Sequence, residues 1–142
     1  MQTVALLAAV FAHMGLTIVL LFRMGYMRLR AVQRREVRVG DIALGQQAWP
    51  EAVTKVSNAF RNQLELPVLF YVLAIIAILT RQADHVMVAL AWVFVVLRLI
   101  HAIIHTTNNN VLNRFRTYVA GAVVLAAMWG YLAVRILLAG GA

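Results

Sequence analysis

The chain contains no cysteine, which excludes a disulfide framework, a thiolate metal site and a cysteine nucleophile. Any thiol chemistry has to use a thiol brought by a substrate. Charge is scarce as well: charged residues make up 13% of 142, against about a quarter in a soluble domain. Five residues are acidic, and thirteen Lys and Arg give a formal net charge of +8. The remainder is largely apolar, with 63% hydrophobic residues and a mean hydropathy of +0.83. That is a membrane composition, in a chain sized for one domain over 1–142. No repeat, low-complexity tract or second domain is visible.

Four segments are apolar over about the 20 residues that a bilayer crossing needs, at about 3–22, 60–80, 85–105 and 117–138. The second is the weakest. Its uninterrupted apolar run, Leu66 to Leu79, covers only about 21 Å as a helix, so it recruits the turns holding Asn58, Arg61, Asn62 and Glu65. The first segment has no basic residues before it and many after it, so it reads as a retained span rather than a cleaved signal. The expected fold is an all-α integral membrane four-helix bundle.

The cations set an expected orientation. Arg23, Arg28, Arg30, Arg34, Arg35 and Arg38 follow the first span, Lys55 and Arg61 precede the second, and Arg114 and Arg116 precede the fourth. The connection between the second and third spans has only Arg81, balanced by Asp84. Positive-inside placement then puts loops at about 24–57 and 106–116 in the cytoplasm and both termini outside. Topology and anionic headgroups account for the net charge, so no nucleic-acid partner is expected.

Arg98, His101 and His105 follow at spacings of three and four, on one stripe of the third span. A charge at mid-bilayer costs about 2.5–3.5 kcal/mol on insertion scales, so such a stripe marks a functional site by default. Lys55, Asn58, Asn62 and Glu65 form a second stripe before and into the second span. Glu65 lies 14 residues before Leu79 and Arg98 lies 14 after Asp84, so the two should share a depth and pair as ions. Pro67 cannot donate to the Gln63 carbonyl, which predicts a kink just above the cluster. His13, alone in the first span, reads as a satisfied core histidine. His101 and His105 also have the H-x-x-x-H spacing of metal ligands, and Glu65 could complete a two-His-one-carboxylate set for a metal-dependent membrane enzyme. Arg98 one turn away weighs against a cation there. A single short bundle with no inverted repeat disfavours transport.

The segment NAFRNQLELPVLFY (Asn58 to Tyr71), then WVFVVLRLIHAIIH and NRFRTY, resembles the MAPEG family, membrane-associated proteins of eicosanoid and glutathione metabolism. The family's helix-two pattern of Arg-Asn, a Glu three residues on and then a Pro is matched by Arg61, Asn62, Glu65 and Pro67. Its helix-three Arg, with a His three residues later, is matched by Arg98 and His101. Its Arg near the start of helix four, with a Tyr four residues on, is matched by Arg114 and Tyr118. The basic Arg-x-Arg stretch after the first span is matched more loosely, by Arg28-Leu29-Arg30.

The resemblance implies a homotrimer that binds glutathione between subunits in the cytoplasmic half of the bilayer and transfers it to lipophilic electrophiles. Arg28, Arg61, Asn62, Glu65, Arg98, His101, His105 and Tyr118 would bind the thiol, and Arg114 would stabilise its thiolate. A non-catalytic member of the same fold, binding a lipid or lipophile, is the alternative. The chain departs from catalytically characterised relatives at Asn58 (usually Arg), Phe60 (usually His) and His105 (usually Tyr), and lacks a basic residue near Asn110. Each lost charged hydrogen bond is worth about 1.5–3 kcal/mol, so losing two would weaken glutathione binding by orders of magnitude or mark a site for another thiol or ligand.

Overall fold

The computed structural model describes residues 1–43 and 48–139. The first helix, α1, is Gln2–Gln33, and a short 3-10 turn follows at Val39–Ile42. The others are α2 (Glu51–Asn62), α3 (Leu66–Leu79), α4 (His85–Thr106) and α5 (Val111–Ala139). With α2 and α3 counted as one interrupted crossing, four helical segments are long and apolar enough to span a membrane. The expected all-α membrane bundle is therefore the observed one.

The outward faces suit lipid. Phe11, Phe22, Ile75, Ile103 and Trp129 are all more than half exposed, which would be costly in water and is unremarkable against acyl chains. Inside, Leu6 and Ala9 of α1, Phe70 of α3, Phe94 of α4 and Met128 of α5 form one buried cluster. The Phe70 and Phe94 rings stack at its centre, with centroids 4.8 Å apart.

Local chemistry fixes the helix ends. α2 starts after Pro50 with Glu51 in its first turn, where the helix dipole favours an anion, and Glu51 also pairs with Lys55 one turn on at 2.7 Å. α4 is capped by Asp84, whose side chain accepts the Met87 N–H at 2.9 Å. The same carboxylate accepts the Tyr131 hydroxyl and the Arg135 guanidinium (3.2 Å), tying the end of α5 to the α3–α4 connection. At the other end, Asn109 sits at φ 52°, a left-handed turn that Asn tolerates, and the Asn110 side chain accepts the Asn113 N–H as α5 begins.

The second crossing departs from expectation. Sequence spacing predicts a kink just above the polar cluster, but the helix is interrupted within it, between Asn62 and Leu66. The N–H groups of Gln63 and Leu64 turn back to the carbonyls of Phe60 and Arg61, at 2.9 and 2.8 Å. Glu65 adopts φ −98°, ψ −102°, and Pro67 then occupies the first turn of α3, where its missing N–H costs nothing. The interruption separates a polar, amphipathic α2 from an entirely apolar α3.

Candidate functional site

At the end of the bundle where α2 finishes, α4 finishes and α5 begins, a cavity of about 440 Å³ opens between the three helices. Sites for small molecules usually enclose about 300–1,000 Å³. Asn58, Arg61, Asn62 and Glu65 line it from α2 and the break, His101 and His105 from α4, and Val111, Arg114, Phe115 and Tyr118 from α5. Seven of the nine residues singled out in the sequence thus meet in one place. Asn58, a member of the second polar stripe and a departure from the family pattern, lines it too. Val111 and Phe115 carried no signal, because an apolar residue at the start of a membrane helix is indistinguishable from a lipid-facing one.

The other two expected residues stand elsewhere. Arg28 does not line the cavity; it donates to the Ser57 hydroxyl at 3.1 Å and lies over the Trp49 ring at 5.0 Å. Arg98 is fully buried beside the cavity, with its guanidinium 6.0 Å from the Tyr118 ring centroid.

The expected Glu65–Arg98 ion pair does not form. Among the described residues the only ion pairs are Arg34–Glu36, Lys55–Glu51 and Arg135–Asp84. Glu65 is exposed at the cavity, while Arg98 donates to the Asn62 carbonyl and, at 3.4 Å, to Gln63 Oε1. The reason is the break. Ending α2 at Asn62 leaves its last carbonyls without helical donors, and a buried guanidinium satisfies one of them. Counting residues along a continuous helix could not anticipate this.

Around the cavity, second contacts hold the polar groups. Asn62 Nδ2 donates to the Asn58 carbonyl at 3.0 Å. His101 Nδ1 lies 3.1 Å from the Arg114 carbonyl and 3.2 Å from Thr117 Oγ1. A carbonyl only accepts, so Nδ1 carries a proton and α4 is stitched to the first turn of α5. Arg114 Nη1 donates to Asn109 Oδ1 at 2.7 Å, which aims the side chain from the loop that precedes it. His101 and His105 stand edge to face, with centroids 5.7 Å apart. No group of three or more His, Asp and Glu residues suited to a metal is found among the described residues, so Glu65, His101 and His105 do not converge as a ligand set. His13 is fully buried with both ring nitrogens engaged, as expected of a core histidine.

A second hollow, of about 500 Å³, runs along the lipid-facing side between α3 and α5 and is lined only by apolar residues, from Leu66 to Ile76 and from Ala122 to Trp129. Its first member on α3 directly follows Glu65, and its first on α5 lies one turn beyond Tyr118.

The chain matched no curated protein and no solved structure. Against models of protein families it matched the MAPEG family over residues 6–134, which reaches into all four crossings and takes in every residue of the cavity. With nine-tenths of its length matched and an all-helical membrane fold, the chain belongs to the MAPEG family.

Proposed function

We propose that the protein is an integral membrane transferase or peroxidase that uses glutathione, or a related thiol, on lipophilic electrophiles, with the thiol bound in the cavity at the α2–α4–α5 end. The observation that carries this reading is the meeting of two arginines, Arg61 and Arg114, with Asn62, Glu65 and Tyr118 around one opening. Glutathione offers two carboxylates, an ammonium, amides and a thiol. Guanidinium groups match carboxylates in bidentate fashion, and a carboxylate such as Glu65 matches an ammonium. A free thiol has a pKa near 8.5, and a cation beside it increases the thiolate fraction at neutral pH. Arg114 is suited to that task, since one of its five donors is spent on Asn109 and the others remain. The thiolate sulfur then forms a bond to the electrophilic carbon of the co-substrate, while a leaving group departs from that carbon with its bonding pair, or the π pair of an activated double bond shifts to the next carbon and is protonated from water. The apolar hollow between α3 and α5 supports an approach from the bilayer.

The site as proposed lies between neighbouring subunits of a homotrimer. Arg28, which does not line the cavity of its own protomer, serves a neighbour's in that arrangement. Buried nitrogens on the α4 stripe without partners in the protomer, Arg98 Nε and Nη1, His101 Nε2 and His105 Nδ1, support the presence of a further binding partner there. The membrane is a bacterial inner membrane, the cavity opens in its cytoplasmic half, and both termini are periplasmic.

The test is the purified protein, assayed for conjugation of a generic electrophile and for ultraviolet thiolate absorbance with millimolar glutathione at neutral pH. Both signals are expected. If neither is found, a second reading moves ahead: a non-catalytic member that binds a lipid or lipophile, favoured by the apolar hollow and by Asn58 and Phe60 standing where relatives carry cations.

A further inference from the structure

His13 lies on α1, outside the cavity, yet it is joined to it by a hydrogen-bond chain whose direction can be read atom by atom. Arg98 Nη2 can only donate, so the Gln63 atom it meets at 3.4 Å is the amide oxygen, with Gln63 Nε2 turned to the Ala59 carbonyl at 3.5 Å. The same oxygen lies 3.1 Å from His13 Nε2, which therefore carries a proton and donates. In the neutral ring Nδ1 is then a bare lone pair, and the Tyr71 hydroxyl at 2.7 Å donates to it. His13, Gln63 and Arg98 are each fully buried. Residues from α1, α2 and α4 thus converge on one amide, and Tyr71 of α3 reaches it only through His13.

That amide belongs to the first residue after α2, inside the interruption. Asn62 on one side of Gln63, and Glu65 two residues beyond it, both line the cavity. Beyond the two turn bonds of the Gln63 and Leu64 N–H groups, the interruption is held by side chains that reach it. Arg98 holds the Asn62 carbonyl, and His13 holds the amide that Arg98 shares. Phe70 and Phe94 flank the imidazole at 6.2 and 6.1 Å, leaving it little freedom to turn away.

We infer that His13 is a positioning residue of the cavity: through Gln63 it fixes the break that presents Asn62 and Glu65 to the ligand. The inference rests on the proposed thiol site. It assigns His13 an effect on ligand affinity that a histidine filling space in the core would not have. No contact between His13 and the ligand is required.

The experiment compares wild type, His13→Phe, His13→Gln and Tyr71→Phe in detergent, measuring thermal unfolding and the dissociation constant of S-methylglutathione by calorimetry. His13→Phe keeps the aromatic packing and loses both hydrogen bonds. It should bind at least tenfold more weakly, with a KM rise exceeding any fall in kcat. His13→Gln retains a donor toward Gln63 and an acceptor toward Tyr71, and should return affinity to within threefold of wild type. Tyr71→Phe leaves the Gln63 contact in place and should fall between the two. Affinity of His13→Phe within twofold of wild type overturns the inference, whatever its unfolding temperature. Should His13→Phe fail to fold, Gln63→Met removes the same acceptor, and unchanged affinity there overturns it equally. If wild type itself does not bind S-methylglutathione, the thiol reading falls and this inference with it. Weak binding in the variants alone concerns His13.

Discussion

Arg98 donates to the backbone carbonyl of Asn62, across the gap between α4 and the end of α2. The contact joins the most deeply buried cation of the protein to a peptide group that its own helix leaves unsatisfied. It predicts that Arg98→Met destabilises the detergent-solubilised protein by about 1–3 kcal/mol, the cost of leaving a buried acceptor unmet. Glu65→Gln should stay within about 0.5 kcal/mol of wild type, as for an exposed position. The double substitution should be additive within about 0.5 kcal/mol, because the two side chains do not pair. Strong coupling in the unfolding cycle would restore the ion pair that the helix break displaces.

Arg114 and Arg116 separate anchoring from chemistry. Arg116 is exposed and outside the cavity, whereas Arg114 lines it and is aimed by Asn109. Arg114→Ala should leave folding intact and lower kcat by about 10²–10³-fold, the scale of losing one preorganised donor to a developing or full anion. The thiolate absorbance should disappear with it. Arg116→Ala should match wild type, and equal losses from both would identify them as surface anchors only.

Asn58 gives the opposite kind of test, a gain. It lines the cavity at a position where the family resemblance leads one to expect an arginine. Asn58→Arg restores a cation facing the ligand and should tighten S-methylglutathione binding by about tenfold or more, from one charged hydrogen bond of about 1.5–3 kcal/mol. Calorimetry showing no gain would mean that the natural thiol is not a glutathione-like anion.

Asp84, in the connection before α4, makes stability depend on acid. Partial burial acts to raise its pKa, but the Met87 N–H, the Tyr131 hydroxyl and the Arg135 guanidinium outweigh that and hold the carboxyl below its ordinary value. A depressed folded-state pKa contributes stability that is present above the unfolded value, near 3.9, and is lost as pH falls through the folded one. Wild type should therefore lose stability below about pH 4. Asp84→Asn still caps the helix and should flatten this part of the profile, while Asp84→Ala should cost about 1 kcal/mol more at neutral pH. A profile in Asp84→Asn as steep as wild type would assign the acid sensitivity to another group.

Membrane orientation is open to direct measurement. A reporter active only in the cytoplasm, fused after Ala142, which lies outside the described residues, should be silent. One inserted in the 34–38 stretch should be active. The reverse pattern would place the cavity on the other face.

Much of this architecture is legible before folding, and the partners of Arg98 are the main exception. The stripes Asn58–Asn62–Glu65 and Arg98–His101–His105 follow from spacing along regular helices, and all but Arg98, which is buried beside it, line the cavity. The partners of Arg98 were not legible, because they depend on where α2 stops, and that is decided by Pro67, Glu65 and the reach of Gln63 together. Gln63 gave no signal: a lone amide beside an Arg-Asn pair looks like part of the polar stripe, yet it faces the core and is fully buried. Arg28 is expected at the site only from the resemblance of its Arg-x-Arg stretch, and within the protomer it contacts Ser57 and Trp49.

α4 touches α1, α2 and α5, and its polar stripe is held from two sides. Asn62 and Gln63, which receive Arg98, precede α4 in the chain, while the Arg114 carbonyl and Thr117, which receive His101, follow it. In chain order the acceptors for Arg98 are therefore synthesised before α4, and those for His101 after it. The interrupted second crossing is thus also a landing place, and chains truncated after Thr106 should still insert α4, whereas chains that lack the break should stall with Arg98 at the membrane surface.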